Sequence, residues 1–366
     1  AQMHLTQILT LYLSVVVCAV AKPVLHLDFE GESAGFETIG KLSFGVGPRP
    51  PEFPDFAKKN RAAEFDGSNR LVRKDPGKDS PLDFDNGDAI TLEAWVWPGR
   101  VGEGNNVYLI GKGRTNNKGF SANNQNYALR LREQKGEACI SFLFASRPEN
   151  GKPSEWHRWT SVSGILPGDG WHHVAACYEF GKPESIKGYL DGKPVAGKWD
   201  MGSFTKRRPV VDDDELWIGS ALGGSRNNSY AGGLDEVAIH REILSPEVMA
   251  KRFRQVEQPK PKHVRADWPA DKVLVEVVEG FSPVRGWPRP DLPPLDSYQQ
   301  DVFGFFRTTH KYADPGVRVD RPKAFLLRAL ATLTLPPGEH EWLVRSRWAS
   351  RLWVDDKLLA LVAQPS

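Results

Sequence analysis

The chain has 366 residues, 40% of them hydrophobic and 26% charged, with a formal net charge of +2. That length allows two domains of ordinary size, and a charge so near neutral gives no electrostatic reason to expect nucleic acid or anionic lipid as a partner. Counts of 34 Gly, 28 Pro and 12 Trp against 3 Met favour a turn-rich β protein over a helical bundle.

In chain order, residues 8–21 (ILTLYLSVVVCAVA) are apolar, uncharged and end in the small-x-small triplet Ala19-Val20-Ala21. This predicts a signal peptide over residues 1–21 and export to the cell surface or beyond. The run falls short of the roughly 20 residues a spanning helix needs, so no membrane insertion is expected after cleavage. Cleavage removes Cys18. Cys139 and Cys177 remain, either bridged in an oxidising compartment or buried as free thiols.

Short alternations of apolar and polar residues follow, the period of half-buried strands. They stand at 24–29 (VLHLDF), 89–97 (AITLEAWVW), 106–112 (NVYLIGK), 126–132 (NYALRLR), 138–145 (ACISFLFA), 171–180 (WHHVAACYEF), 186–192 (IKGYLDG) and 215–220 (ELWIGS). Asp66-Gly67, Asn86-Gly87, Asn150-Gly151 and Asp191-Gly192 supply the positive φ angles of tight reversals. Ser245-Pro246-Glu247 then offers an N-cap, a proline in the first turn and an acid at the helix start, predicting one short helix. Val248 rules out the reciprocal capping box. The Pro- and Lys-rich stretch 258–265 reads as a linker between a first domain (22–257) and a second β segment (266–366), with strand signals at VLVEVVEG, AFLLRALATLTL and HEWLVRSRW.

His172 and His173 invite a metal or catalytic reading. Neighbours on a strand point to opposite faces, however, so the two cannot ligate one ion and are expected to be structural.

Four segments, "AAEFDGSNRLV", "ITLEAWVWP", "GWHHVAACYE...IKGYLDGKPV" and "YAGGLDEVAIHREILSPEVM", occur in an order that resembles the laminin-G-like, concanavalin A-like lectin domains. The resemblance implies an all-β, two-sheet antiparallel jelly roll. It also implies a structural Ca2+ where the first strand meets the closing one, with Asp28, the Gly67 carbonyl and Asp235 at the matching positions, oxygen ligands of the kind calcium takes. Asp212-Asp213-Asp214 is a rival cation site whose plainer reading is a solvated turn.

Enzymes share the fold, and retaining glycosidases need paired carboxylates about 5 Å apart. Glu64-Phe65-Asp66 begins such a pattern, but Gly67-Ser68-Asn69 follows and the second glutamate is missing. No other catalytic signature appears. Binding is better supplied. Trp95 and Trp97, the Asn-rich loop 116–126 with Asn123 and Asn124, and Trp156-His157-Arg158-Trp159, read as a loop, bring flat rings together with amide and cationic donors, the chemistry that grips sugars. Trp156, Arg158, Trp159, Asn123 and Asn124 are the candidate ligand-binding residues.

Residues 324–360 resemble part of a PA14 β-sandwich, with a Pro337-Gly338 turn and a hairpin about Asp355-Asp356. Such modules accompany larger secreted bacterial proteins, and the later strands of that sandwich are not within the sequence. The expected function is a non-catalytic, exported module that binds carbohydrate or a cell-surface glycan, as part of a larger secreted protein. A glycan hydrolase on the same fold and a purely structural adhesion or spacer domain are the rival readings.

Overall fold

The computed structural model describes residues 22–31, 35–99, 101–102, 104–166, 170–256, 272–278, 294–304, 325–345, 350–354 and 357–362. The expected signal peptide, the linker 258–265 and the Asp355-Asp356 turn lie outside them. In chain order come β1 (Leu25–Leu27), β2 (Glu37–Ile39), β3 (Ser43–Val46), β4 (Arg61–Asp66), β5 (Arg70–Arg73), β6 (Ala89–Pro98), β7 (Asn106–Lys112) and β8 (Tyr127–Gln134). Then follow β9 (Glu137–Ser146), β10 (Glu155–Ile165), β11 (His172–Glu179), β12 (Lys182–Leu190), β13 (Lys193–Val195), β14 (Gly197–Met201), β15 (Leu216–Ile218) and β16 (Ala231–His240).

These strands form two eight-stranded antiparallel sheets packed as a jelly-roll sandwich. The first has the order β13-β12-β11-β6-β16-β4-β3, with β1 also on β16, and the second β14-β10-β9-β8-β7-β15-β5-β2. On β16, β6 takes one edge while β4 and β1 lie end to end along the other. Period-two alternation sends Leu92, Val96, Val174 and Tyr178 of the first sheet, and Ile140, Phe142 and Phe144 of the second, into one shared core. Aromatic rings bridge the layers: Phe142 and Phe144 lie 5.3 and 5.6 Å from Tyr178, an arrangement that adds directional attraction to the burial. At Asn150-Gly151 and Asp191-Gly192 both residues have φ between 52° and 75°, the left-handed pair that a tight hairpin demands.

The first sheet's outer face is covered. The expected helix, α1 (Pro246–Arg252), is capped by the Ser245 hydroxyl, which accepts from the Val248 amide. Leu244 and Met249 pack on Ala175, Cys177 and Tyr189. Further along, Phe53, Phe56 and Phe253 enclose Trp95, with Phe253 stacked at 5.3 Å and 18°. The Trp95 ring therefore serves packing.

Cys139 and Cys177 are free, buried thiols on different sheets. Each alternates with core residues and points off the outer face of its own sheet, so no bridge joins them.

Towards the C-terminus, β17 (Val273–Val278), β18 (Asp296–Gln300) and β19 (Leu326–Leu330) form a three-stranded sheet with β17 central. β20 (Ser350–Val354) pairs with β21 (Lys357–Val362). The strand expected in HEWLVRSRW is not formed by its described residues, 340–345.

Candidate functional site

The adjacent histidines part company as alternation requires. His173 Nε2 lies 3.1 Å from Glu93 Oε2 on the covered outer face, whereas His172 Nδ1 lies 2.9 Å from Asp191 Oδ2 at the sheet's end. Glu93 also meets His240 Nε2 at 2.8 Å and Arg252 Nη2 at 3.2 Å. Burial alone would raise its carboxyl, but His173, His240 and Arg252 more than offset that and hold it far below the usual range. All three of Glu93, His173 and His240 are sealed from solvent. The cluster pins the end of α1 to the sheet.

The expected calcium set does not converge. β1 does meet β16, but the β4–β16 register pairs Asp66 with Ala231, which puts Gly67 five positions along from the point opposite Asp235. At about 3.3 Å per residue that is roughly 16 Å, beyond the reach of one ion. Asp28 is exposed and accepts from the Glu30 amide. Asp235 is buried and accepts from Asn60 Nδ2 at 2.7 Å, and burial pushes its carboxyl up to about 8.

Nor is the acidic run a solvated turn. Asp214 is fully buried, and Asn124 Nδ2 donates to both Asp212 and Asp214 at 2.9 Å while its Oδ1 accepts from the Arg114 amide. The Thr115 hydroxyl donates to Asp214 at 2.6 Å. Asn124 is thus consumed in tying loop 113–126 to residues 212–214. Asn123 is exposed in the same loop. Among the described residues, Asp75, Asp83 and Asp213 are grouped closely enough to hold a cation, and one is already there. The buried Lys112 ammonium lies 3.2 Å from Asp75, 2.9 Å from Asp83 and 3.2 Å from Asn126 Oδ1, and it also donates to the Asp212 carbonyl.

The tryptophans expected in a loop lie instead on β10, on opposite faces. Trp159 points inward, 4% exposed, into the shared core. It lies over Gly188 and Gly197, where a Cβ would come within 2.4 and 2.0 Å of its ring. Trp156 and Arg158 point outward, and His157 stacks inward on Phe144 at 5.1 Å. Of the five candidates, the second sheet's outer face brings together Trp156 and Arg158.

Around these two stand residues that the sequence did not single out. Arg114 lies over the Trp156 ring, 4.6 Å from its centroid, and donates to the Tyr108 hydroxyl at 2.7 Å. That hydroxyl in turn donates to Gln125 Oε1 at 2.9 Å. Arg130 lies over the same Tyr108 ring and donates to Ser141 Oγ at 3.0 Å. Arg158 Nε donates to Asp200 at 2.6 Å, with Arg132 Nε 3.8 Å from the same carboxylate. Leu143, Ala128 and Met201 form an apolar floor. The alternation in NYALRLR carried the signal for Arg130 and Arg132, the polar set of a strand whose other face is core.

The glutamate considered for hydrolysis, Glu64, lies against Gly45, where a Cβ would collide with its carboxylate. Asp66 accepts from the Ser68 amide and hydroxyl and from the Asn69 amide, closing the turn after β4.

The fold is that of a concanavalin A-like jelly roll. Residues 76–249, a little under half of the chain, match the laminin G model of the concanavalin A-like lectin/glucanases superfamily. That match supports the laminin-G-like character of the segment. No curated protein matches the sequence. Among solved structures, the chain is similar to domain 4 of AbnA, a GH43 extracellular arabinanase from Geobacillus stearothermophilus, in complex with arabinotriose. Identity is 16%, coverage 60% of this chain and 88% of that one, and the TM-score 0.40. It is similar to the binding domain of Paraclostridial Mosquitocidal Protein 1 at 15% identity, covering 63% of this chain and 51% of that one, with a TM-score of 0.45. It is also similar to the CBM40 of Ruminococcus gnavus IT-sialidase bound to α2,3 sialyllactose, at 14% identity, 50% and 91% coverage and a TM-score of 0.33. No helix among the described residues is long and apolar enough to cross a membrane.

Proposed function

We propose that the laminin-G-like sandwich is a non-catalytic module that binds carbohydrate, exported and carried within a larger secreted protein. One observation carries the reading: on the outer face of the second sheet a half-buried indole, Trp156, stands beside the forked donors of Arg114 and Arg158 above an apolar floor. A flat ring for the apolar face of a sugar and fixed donors for its oxygens are what saccharide recognition asks of a protein. The first sheet's outer face, filled by α1, Phe53, Phe56 and Phe253, offers no comparable surface. Export rests on the leader-like residues 8–21. The broken acid pattern after Asp66 supports binding without hydrolysis.

A glycan array probed with the wild-type protein and with Trp156→Ala tests this. The expected result is retention of a defined glycan set by the wild type, its loss from a variant that still folds cooperatively with only a small drop in melting temperature, and no reducing sugar released. Retention equal in both proteins would overturn the site, and turnover abolished by Glu64→Gln would overturn the non-catalytic reading.

A further inference from the structure

The outer face of the second sheet concentrates charge of one sign. Arg114, Arg130, Arg132 and Arg158 all lie on it, and the carboxylate that meets any of them among the described residues is Asp200, shared by Arg158 and Arg132. Arg114 and Arg130 have a phenol, an indole and a hydroxyl as neighbours, and no acid. Arg130 is 2% exposed, yet among the described residues its Nε has no hydrogen-bond partner, and neither have the Nε atoms of Arg114 and Arg132. Burial depresses the Arg130 guanidinium to about 10, and the charges of Arg158 and Arg114 add to the effect against the favourable influence of Tyr108. The Arg130 guanidinium therefore feels two like charges, those of Arg158 and Arg114, and among the described residues only Asp200 supplies counter-charge on this face. A group of cations held together in this way is stabilised by an anion, and the planar fork of arginine matches a carboxylate or sulfate with two parallel hydrogen bonds.

We infer that the saccharide taken by this face is acidic: its ring rests against Trp156, and a carboxylate or sulfate substituent is drawn to the guanidiniums of Arg114 and Arg158 above Arg130. The inference rests on the reading that this face binds a glycan, and adds the chemical class. Neutral sugars leave the cluster uncompensated, while uronate or sulfated units supply the missing charge. Arg158, already paired with Asp200, is positioned by that carboxylate and keeps its Nη groups for the ligand. The chain's overall charge of +2 is too small to attract polyanions by itself.

Calorimetric titration of the full chain with a galacturonate oligomer, a sulfated dextran oligomer and the unsulfated dextran of equal length tests the class and separates carboxylate from sulfate. Two double variants each remove two charges: Arg114→Gln with Arg158→Gln on the face, and Lys58→Gln with Lys59→Gln on the exposed segment over the other sheet. One or both acidic oligomers are expected to bind and the neutral one not to. The arginine variant should lose about tenfold or more in affinity, and the lysine variant should stay within about twofold. Arg114→Gln alone, at a partly exposed site, gives the same reading should the double variant fold poorly. Equal losses from both double variants would overturn the inference, as non-specific attraction. Binding of the neutral oligomer alone, abolished by Trp156→Ala, would overturn the charge assignment and leave the glycan reading intact. Binding of none of the three, together with an array that retains nothing, would overturn both.

Discussion

Lys112 Nζ stands 2.9 Å from Asp83 Oδ1 with no solvent reaching the ammonium, so the protein's own lysine occupies two carboxylates, Asp75 and Asp83, of the acidic cage they form with Asp213. Removing one member of a buried ion pair strands the other, at a cost of about 3–5 kcal/mol. Lys112→Met is therefore expected to lower the melting temperature sharply. Calcium should raise the melting temperature of that variant, whose cage has lost its cation, and leave the wild type unmoved. A calcium response in the wild type that survives in Lys112→Met would place the ion elsewhere. Differential scanning calorimetry with calcium and with chelator reads all of these.

His172 and His173, adjacent in sequence, are expected to differ in what they stabilise. His172 pairs with Asp191 at a partly exposed position, where such a polar contact contributes about 0.2–1 kcal/mol. His173 serves the buried Glu93 carboxylate, and a hydrogen bond to a buried charge contributes about 1.5–3 kcal/mol. Urea melts of His172→Gln and His173→Gln should show the second as clearly more destabilised, with no change in metal content in either. Equal losses would contradict the opposite-face assignment.

Trp156 and Trp159 make a similar pair on β10. Trp159→Ala opens a cavity in the core over Gly188 and Gly197 and should cost about 3–5 kcal/mol. Trp156→Ala forfeits a contact with Arg114 worth about 0.5–1 kcal/mol. Denaturant midpoints should therefore single out Trp159, and glycan retention should single out Trp156.

The Asp235 carboxyl, pushed up to about 8 by burial, gives stability a definite slope. Between about pH 4 and 8 the folded chain holds a proton that the unfolded chain has released, so this residue's contribution to stability falls as pH rises through that window. One unit of such a shift is worth about 1.4 kcal/mol. Asp235→Asn, which cannot ionise, should flatten the curve, losing less between pH 5 and pH 8 than the wild type does. Parallel slopes in urea midpoints would show that Asp235 is ionised in the fold.

Strands whose two faces differ plainly in polarity, such as β6, β7, β8 and β9, could be read from alternation alone, as could the Ser245 cap and the Asp191-Gly192 reversal. β10 escaped because its faces differ by partner: Trp156 and Trp159 look alike in the sequence, and only Gly188 and Gly197, on strands that arrive later, decide which one turns inward. Asn124 misled for a similar reason. Its amide is taken up by Asp212 and Asp214, some ninety residues on, a pairing that local pattern does not encode. The Asp28–Gly67–Asp235 set failed on register, since motif order places residues on neighbouring strands without stating how far along each strand they fall.

Cys139 and Cys177, directed away from each other off the outer faces of separate sheets, make the sandwich indifferent to the redox state of its surroundings. Burial pushes both thiols up to about 11, so little thiolate forms at neutral pH to react with an oxidant. Refolding of a Cys18→Ser chain should give equal yields in dithiothreitol and in a glutathione redox buffer, with no mixed disulfide in the folded product. The fold can thus be completed on either side of a membrane, and a cell that makes this domain needs no disulfide-forming machinery to finish it.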